Sequence, residues 1–194
     1  MMKKSIVFVD QLANADPRKV KSEYGEILDR KAAKEFGVRI FEEFSYWAWR
    51  ACAIANVAMI LSTEGKLKEN ETLYSLICEA LLVDGYAYKN RHGAFDVGWK
   101  HSVLCKILGK RGIKSNVLRN ITLDTVKRFL DKGSYVILSV KSASGGHMVL
   151  VKNIADGKIY YNDPYFFKGV GGETVEEFLD SFNKRFLKKG ILCC

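Results

Sequence analysis

The stretch WRACAIANVAMIL, residues 49–61, decides the fold. Apolar side chains recur after Cys52 with the spacing of one helix face, at Ile54, Val57, Ala58 and Leu61. This period predicts a helix over residues 52–62, and Gly65 is a suitable stop. Cys52 therefore belongs to the first turn of a helix whose apolar face is expected to lie in the core.

The chain beyond this stretch divides into helices and then strands. Apolar spacing predicts three more helices, over residues 73–81, 103–108 and 122–130, the last of them capped by Thr122. β-Branched and aromatic residues then become frequent, which predicts strands over 135–140, 147–154 and 158–161. Helices followed by antiparallel strands indicate the α+β class.

The remaining segments have weaker patterns. We expect a short strand at 5–9, a charged surface helix and loop at 18–45, a loop at 85–98, a helix at 173–182 and a final strand or tail at 191–194, with a disordered tail favoured for Cys193 and Cys194. A chain of 194 residues with 48% hydrophobic residues, two prolines and no Pro/Ser/Gly-rich linker fits one domain, 1–194. The apolar run at 5–9 is too short for a signal-peptide core, and no run of membrane-spanning length follows, so a soluble, cytoplasmic protein is expected.

The cysteines and the charge restrict the partners. Five cysteines, an odd and scattered set, favour reduced thiols over a disulfide framework. No CxxC or HxxxH spacing suggests a zinc site, and no cofactor is expected. The net charge of +9 favours acidic partners, but the basic residues are dispersed and no nucleic-acid motif organises them. We therefore expect a solvated basic surface, no specific nucleic-acid partner and no membrane span.

Cys52 is the first candidate for chemistry. The unpaired N–H groups and the dipole at a helix N-terminus favour an anion, so a thiol there loses its proton more readily. A nearby histidine would complete an ion pair and make the thiolate a usable nucleophile. The alternative is a buried and inert cysteine, a description that suits Cys78 and Cys105 well.

His147 and Asp163 are the second and third candidates. His147 opens a predicted strand after the small residues 144–146, and Asp163 lies on the next strand, before Pro164. A two-residue loop at 156–157 would point the two side chains to opposite faces of the hairpin. A three-residue loop at 155–157 would place them diagonally on one face, about 7–8 Å apart between backbones. The alternatives are a structural histidine at a sheet edge and a turn aspartate before proline.

The order of these residues leads to a family resemblance. A cysteine on an early helix, a histidine opening a later strand and Asp or Asn on the next strand is the papain-like chain order. Residues 49–61, GHMVLV at 146–151 and YNDP at 161–164 resemble the bacteriocin-leader (double-glycine) peptidase-like family over roughly residues 5–168. The resemblance implies a papain-like cysteine peptidase fold, in which an N-terminal helical half carrying the cysteine helix packs on a C-terminal antiparallel sheet carrying His and Asp.

The same resemblance implies roles for individual residues. Cys52 would be the nucleophile, His147 the general base and acid, and Asp163 the group that orients the imidazole. A glutamine would donate to the oxyanion, and Gln11, the only glutamine in the sequence, is the candidate. Two departures matter: many relatives have the glutamine just before the cysteine, and Ala53 stands where the family usually has glycine.

Three functions follow from this pattern. The leading interpretation is a thiol hydrolase that cleaves a peptide or related amide bond of a peptide or protein substrate through an acyl-enzyme. A catalytically silent papain-like domain that binds peptides is the alternative, favoured by Ala53 and the displaced glutamine. A nucleic-acid-associated protein is the third interpretation.

His92 and His101 are expected at the surface, and Trp47, Trp49 and Trp99 in the core or along a groove.

Overall fold

The computed structural model describes residues 5–89, 95–142, 145–167 and 170–194. Its helices are α1 (Arg30–Phe36), α2 (Glu42–Ala48), α3 (Cys52–Thr63), α4 (Leu73–Leu81), α5 (His101–Lys110), α6 (Leu123–Asp131) and α7 (Leu179–Arg185). Its strands are β1 (Tyr86–Lys89), β2 (Phe95–Trp99), β3 (Ser115–Arg119), β4 (Tyr135–Ser142), β5 (Gly145–Ala155), β6 (Lys158–Phe167), β7 (Val170–Phe178) and β8 (Phe186–Cys193). None of the helices in these ranges combines the length and hydropathy that crossing a bilayer requires.

A six-stranded antiparallel sheet in the order β3-β8-β4-β5-β6-β7 forms the C-terminal half. Alternate residues of each strand serve its two faces. Ile137 and Leu150 join the core formed with the N-terminal helices, whereas Leu138 and Val149 join a second core that includes Phe182 of α7. The prediction of an α+β fold with helices first and sheet second is confirmed.

Helix α3 lies in the middle of the first core. Every residue from 53 to 61 is buried, so the helix is apolar on all sides except at Asn56. Ala51 is the N-cap and provides no side-chain hydrogen bond, which leaves the first N–H groups of the helix without acceptors in the helix. The predicted helix is confirmed, extends one residue further to Thr63, and begins at Cys52.

The expected strand at 5–9 is not formed. The N–H of Val7 donates to Oγ1 of Thr63 (3.0 Å), and Ile6, Phe8 and Val9 pack against the helical core. β-Branched residues suit any half-buried extended surface, so their pattern does not reveal whether a neighbouring strand is present. This segment is an extended chain along the helices.

The expected loop at 85–98 is also wrong in part. Strands β1 and β2 form a hairpin in which Tyr86 pairs with Trp99, and the rings of these two residues make an edge-to-face contact at 4.9 Å. Residues 90–94 between the strands, including His92, lie outside the described residues. The glycines in this segment favoured the prediction of a loop, but aromatic packing stabilises a pair of strands there.

The C-terminal predictions need two corrections. The expected helix at 173–182 begins only at Leu179, because residues 170–178 form β7, which pairs along β6. Residues 191–193 belong to β8, an interior strand between β3 and β4, so the final strand is confirmed and the disordered tail expected at Cys193 was wrong. In both cases pairing with another strand of the sheet outweighs local propensity, which is the usual limit of single-segment patterns.

The β5–β6 hairpin settles the register question. Ala155 pairs with Lys158, so the turn has two residues, Asp156 and Gly157, both at positive φ (51° and 72°). A bulge at Lys152 then shifts the register by one residue, and Leu150 pairs with Asn162. Beyond the bulge, the register is therefore the one that a three-residue loop would have produced. His147 and Asp163 consequently lie on the same face.

Candidate active site

Cys52, His147 and Asp163 come together where β5 passes the N-terminus of α3. Nε2 of His147 lies 2.6 Å from Oδ1 of Asp163, and the imidazole also forms a hydrogen bond with the Cys52 thiol. Because Nε2 is occupied by the carboxylate, Nδ1 is the nitrogen that remains for the thiol. The arrangement is a connected thiol–imidazole–carboxylate chain.

The surroundings of His147 favour its protonated form. Burial by itself lowers the pKa of this imidazole, but hydrogen bonds and charge interactions with Asp163 and Cys52 raise it, with a net result of about 10. Asp163 and Cys52 therefore favour the imidazolium form of the ring. A neighbouring imidazolium stabilises a thiolate, the nucleophilic form of cysteine.

Asn56 fixes the distance between the helix and the strand. Its side chain is fully buried, and Nδ2 donates to the backbone oxygens of Cys52 and Met148, each at 2.8 Å. One amide thus connects the residue that carries the thiol to the residue after His147. Sequence reasoning missed Asn56, although a single amide within the apolar run of α3 was a usable signal.

Gln11 reaches the same site from the N-terminal segment. Its backbone N–H donates to the Pro164 oxygen (2.9 Å), next to Asp163 on β6. The side chain is 2% exposed and lines the cavity at Cys52, and its Oε1 has no hydrogen-bond partner in the described part of the chain. Gln11 therefore accompanies the other three candidates, although the strand expected before it is absent.

Asp10 holds this segment in place. Its carboxylate accepts from the N–H groups of Leu12 (2.9 Å) and Asn14 (3.0 Å) and from the backbone of Phe166. Burial raises the pKa of Asp10 to about 6, against the lowering effect of these hydrogen bonds. The loop that presents Gln11 is thus attached to β6 by both Asp10 and Gln11.

A main cavity of about 610 Å³ opens over these residues. One wall is aromatic: the Trp49 and Tyr165 rings are 6.1 Å apart, and Tyr165 lies edge-on to the His147 imidazole at 6.5 Å. Nε1 of Trp49 donates to the Gly25 oxygen (2.7 Å), which fixes the indole. This wall shields the His147–Asp163 hydrogen bond and offers apolar surface to a ligand.

A second cavity of about 240 Å³ reaches Cys52 and His147 from another side. It is also lined by Ala53, Trp99, His101 and Ser139. His101 is not the surface residue that was expected, because it is partly buried and its Nε2 lies 2.8 Å from Oγ of Ser139. Ala53 is 1% exposed, so its methyl group forms part of this cavity's wall and not of a free surface.

The fold and the site define a class of protein. A cysteine at the start of a central helix, facing a histidine and a carboxylate on adjacent antiparallel strands, is the arrangement of papain-like cysteine peptidases. The sequence profile of the Peptidase_C39 like family matches residues 38–190, and the chain belongs to that family. A sequence comparison with curated proteins finds no match.

Solved structures share this fold. The double-glycine-motif protease of an AMS/PCAT transporter, in complex with the leader peptide, is similar with a TM-score of 0.52 and 18% identity, over 73% of this chain and 82% of that one. The peptidase domain of Streptococcus ComA, a bifunctional ABC transporter, is similar with a TM-score of 0.51 and 14% identity, over 75% and 91%. A candidate C39-like peptidase from Bacillus anthracis gives 0.53 and 13%, over 75% and 88%. At these identities the similarity shows the fold.

Proposed function

We propose that the protein is a thiol-dependent hydrolase that cleaves a peptide or related amide bond. The observation that carries the proposal is the continuous contact from the Cys52 thiol through His147 to Asp163, at the floor of an open cavity. A structural histidine or a turn aspartate would not need the thiol as a third member. Membership of a peptidase family supports the same reaction.

In the proposed reaction each of these residues takes one step. The Cys52 thiolate attacks the substrate carbonyl, and the His147 imidazolium gives its proton to the leaving amine as the acyl-enzyme forms. The neutral imidazole then takes a proton from water, whose oxygen attacks the thioester and releases Cys52. Asp163 keeps Nε2 engaged, so that Nδ1 faces the reacting atoms throughout.

In the proposed reaction Gln11 and the N-terminus of α3 stabilise the oxyanion. The carboxamide of Gln11 lines the main cavity together with Cys52, whose own N–H is at the free end of the helix. Donors of this kind typically contribute about 3–4 kcal/mol each to the transition state. Gln11→Ala is therefore expected to lower kcat about 100-fold or more while Cys52 alkylation persists.

The substrate class follows from the cavity and from a relative. The main cavity has an aromatic wall and about 610 Å³, a volume that accepts several residues of an extended peptide. One structural neighbour was solved with a leader peptide, which supports a peptide ligand here.

The five cysteines are all unpaired, a state that suits a reducing compartment such as the cytoplasm.

The first experiment is alkylation by iodoacetamide as a function of pH, with each cysteine followed by peptide mass spectrometry. At mildly acidic pH we expect Cys52 to react faster than the other four cysteines. In His147→Ala this difference in rate should disappear. The other four cysteines are internal controls. Cleavage of a peptide library should then stop in Cys52→Ala with folding retained, and continued cleavage in that variant would contradict the proposal.

A silent peptide-binding domain is the second candidate, and Ala53 favours it. Its buried methyl group narrows the second cavity next to the thiol, where relatives usually have glycine. In that case Cys52 would react no faster than the other cysteines, and peptides would bind without being cleaved. Ala53→Gly separates the two functions, because gain of cleavage in this variant would assign the wild-type protein to the silent class.

A further inference from the structure

A third cavity, of about 330 Å³, lies at the N-terminus of α5. We call it the α5 cavity; its lining is Lys100, His101, Ser102, Val117, Leu118, Arg119 and Lys189. Among these described residues there is no carboxylate, while three carry a positive charge. The peptidase mechanism proposed above uses none of these side chains.

The charge of the α5 cavity comes from an unfavourable pairing. Arg119 on β3 lies directly opposite Lys189 on β8, and like charges in that position repel each other. Neither side chain forms an ion pair within the described part of the chain, whereas Lys100 is paired with Asp84. Two opposed cations without an acid between them are stabilised when an anion binds.

The positive charges of the α5 cavity affect the pKa of His101, but His101 itself carries no charge there. Burial, followed by the charges of Lys189 and Arg119, lowers the pKa of its imidazole to about 4. The ring is therefore neutral at physiological pH and forms its hydrogen bond with Ser139. The positive potential in the cavity thus comes from the lysine and arginine side chains.

Backbone N–H groups at the N-terminus of α5 also contribute to the attraction of the α5 cavity for an anion. Lys100 is the N-cap of α5 and makes no side-chain cap. The Val103 N–H donates to the Lys100 oxygen (2.9 Å), so the first-turn N–H groups that remain for a ligand are those of His101 and Ser102. Their dipoles add to the attraction for an anion that Arg119 and Lys189 already create. Arginine and lysine beside free N–H groups form a suitable set of donors for a carboxylate.

The α5 cavity adjoins the second cavity, and this relation identifies the ligand. Lys100, His101 and Lys189 line both, and the second cavity contacts Cys52 and His147. A group held in the α5 cavity can therefore belong to the same molecule whose carbonyl lies at the thiol. An extended peptide with an acidic residue fits this geometry.

We propose that the α5 cavity binds a carboxylate of the substrate peptide and makes an acidic residue near the scissile bond a determinant of specificity. This inference rests on the proposed hydrolase function for its consequence, but anion binding itself can be measured without activity. The two are therefore tested separately.

The binding test uses Cys52→Ala protein labelled with ¹⁵N and titrated with N-acetylglutamate. We expect saturable shifts of the amides of residues 100–103, 119 and 189, and their loss in the added double variant Arg119→Gln/Lys189→Gln. The control double variant Lys132→Gln/Lys184→Gln removes the same charge from exposed positions elsewhere and should keep the shifts. No saturable shift, or equal shifts in both double variants, would overturn the inference while leaving the hydrolase proposal intact.

The specificity test compares cleavage of a peptide library by active protein and the same double variants. Peptides with Glu should be cleaved about tenfold faster than their Gln counterparts, the discrimination expected of one charge-assisted contact. The ratio should fall toward unity in Arg119→Gln/Lys189→Gln and persist in the control. Binding of N-acetylglutamate or inorganic phosphate without any Glu preference would reassign the cavity to a free anion and overturn the inference.

Discussion

At the residue scale, the main finding is how few side chains connect the thiol to the sheet. Cys52 contacts His147, His147 contacts Asp163, and Asn56 joins the backbones of the helix and the strand. The first three were predictable because their chemistry and chain order are visible in the sequence. Asn56 was marked only as a single amide in an apolar run, and the partners of Asn56 and His101 are brought near only in the folded chain.

Asp163→Ala tests the orienting role. Loss of the 2.6 Å contact should lower the pKa of His147 from about 10 and allow the ring to rotate away from Cys52. A charge-assisted hydrogen bond of about 1.5–3 kcal/mol corresponds to a fall of about 10- to 150-fold in kcat/KM. NMR titration of the His147 imidazole and peptide cleavage check this. Asp163→Asn keeps a hydrogen bond without the charge, so its kcat/KM and its His147 pKa should lie between those of wild type and Asp163→Ala. A His147 pKa that is unchanged in both variants would contradict the orienting role.

Asn56→Ala tests the connection between helix and strand. The variant removes two buried hydrogen bonds, so the free energy of unfolding should fall by about 2–3 kcal/mol. Urea unfolding measures this loss, and the rate of Cys52 alkylation should fall as the thiol moves relative to His147. Asn116→Ala on β3 is the control, because Asn116 is exposed. A change within 0.5 kcal/mol in Asn56→Ala, as is typical of surface sites, would contradict this role.

At the element scale, prediction succeeded where a segment determines its own structure. α3 has a strong apolar period, and Thr122 caps α6 by accepting from the Thr125 N–H, as predicted. β7 was missed, and β8 was expected only over its last residues and only as one of two alternatives, because each strand is defined by its partner strands. The register of β5 with β6 depends on a bulge at Lys152 that has no signal in the sequence.

Asp10→Asn tests the segment that presents Gln11. Since the fold raises the pKa of Asp10 from 3.8 to about 6, the protonated carboxyl is favoured in the folded state. Its contribution to stability is therefore fully present below about pH 4 and is lost as pH rises through about 6. The free energy of unfolding of wild type relative to Asp10→Asn should fall by about 3 kcal/mol over this range. Urea titrations from pH 4 to 7 measure it, with Asp124→Asn at an exposed position as control; parallel curves for wild type and Asp10→Asn would refute the linkage.

At the scale of the whole molecule, the site is assembled from parts that are far apart in the chain. The N-terminal segment supplies Gln11, the central helix supplies Cys52, and the sheet supplies His147 and Asp163. The papain-like fold could be predicted because these residues occur in a recognisable order. The cavities could not, because they depend on how the β1–β2 hairpin, α5 and the sheet pack around that order.

Removal of residues 186–194 tests the interior position of β8. Without this strand, β3 and β4 lose the partner that both share, and Ile191 and Cys193 leave the first core. We expect loss of cooperative thermal unfolding and of near-ultraviolet circular dichroism. Removal of Cys194 alone, which is exposed, should leave both signals unchanged. A cooperative transition in the longer deletion would show that β8 is dispensable.

The strand order has a consequence for the rate of folding. β8 pairs with β3 and β4, so Ser115 must meet Cys193 across a large separation in sequence, and in the described sheet β3 has no other partner. Each such pairing requires loop closure before any contact energy is gained. We therefore expect β4 to β7, joined by short connections, to form early, and β3 to join late. The nucleus of folding would then contain His147 and Asp163 but not the α5 cavity, whose two cations meet only when the last long-range contact closes.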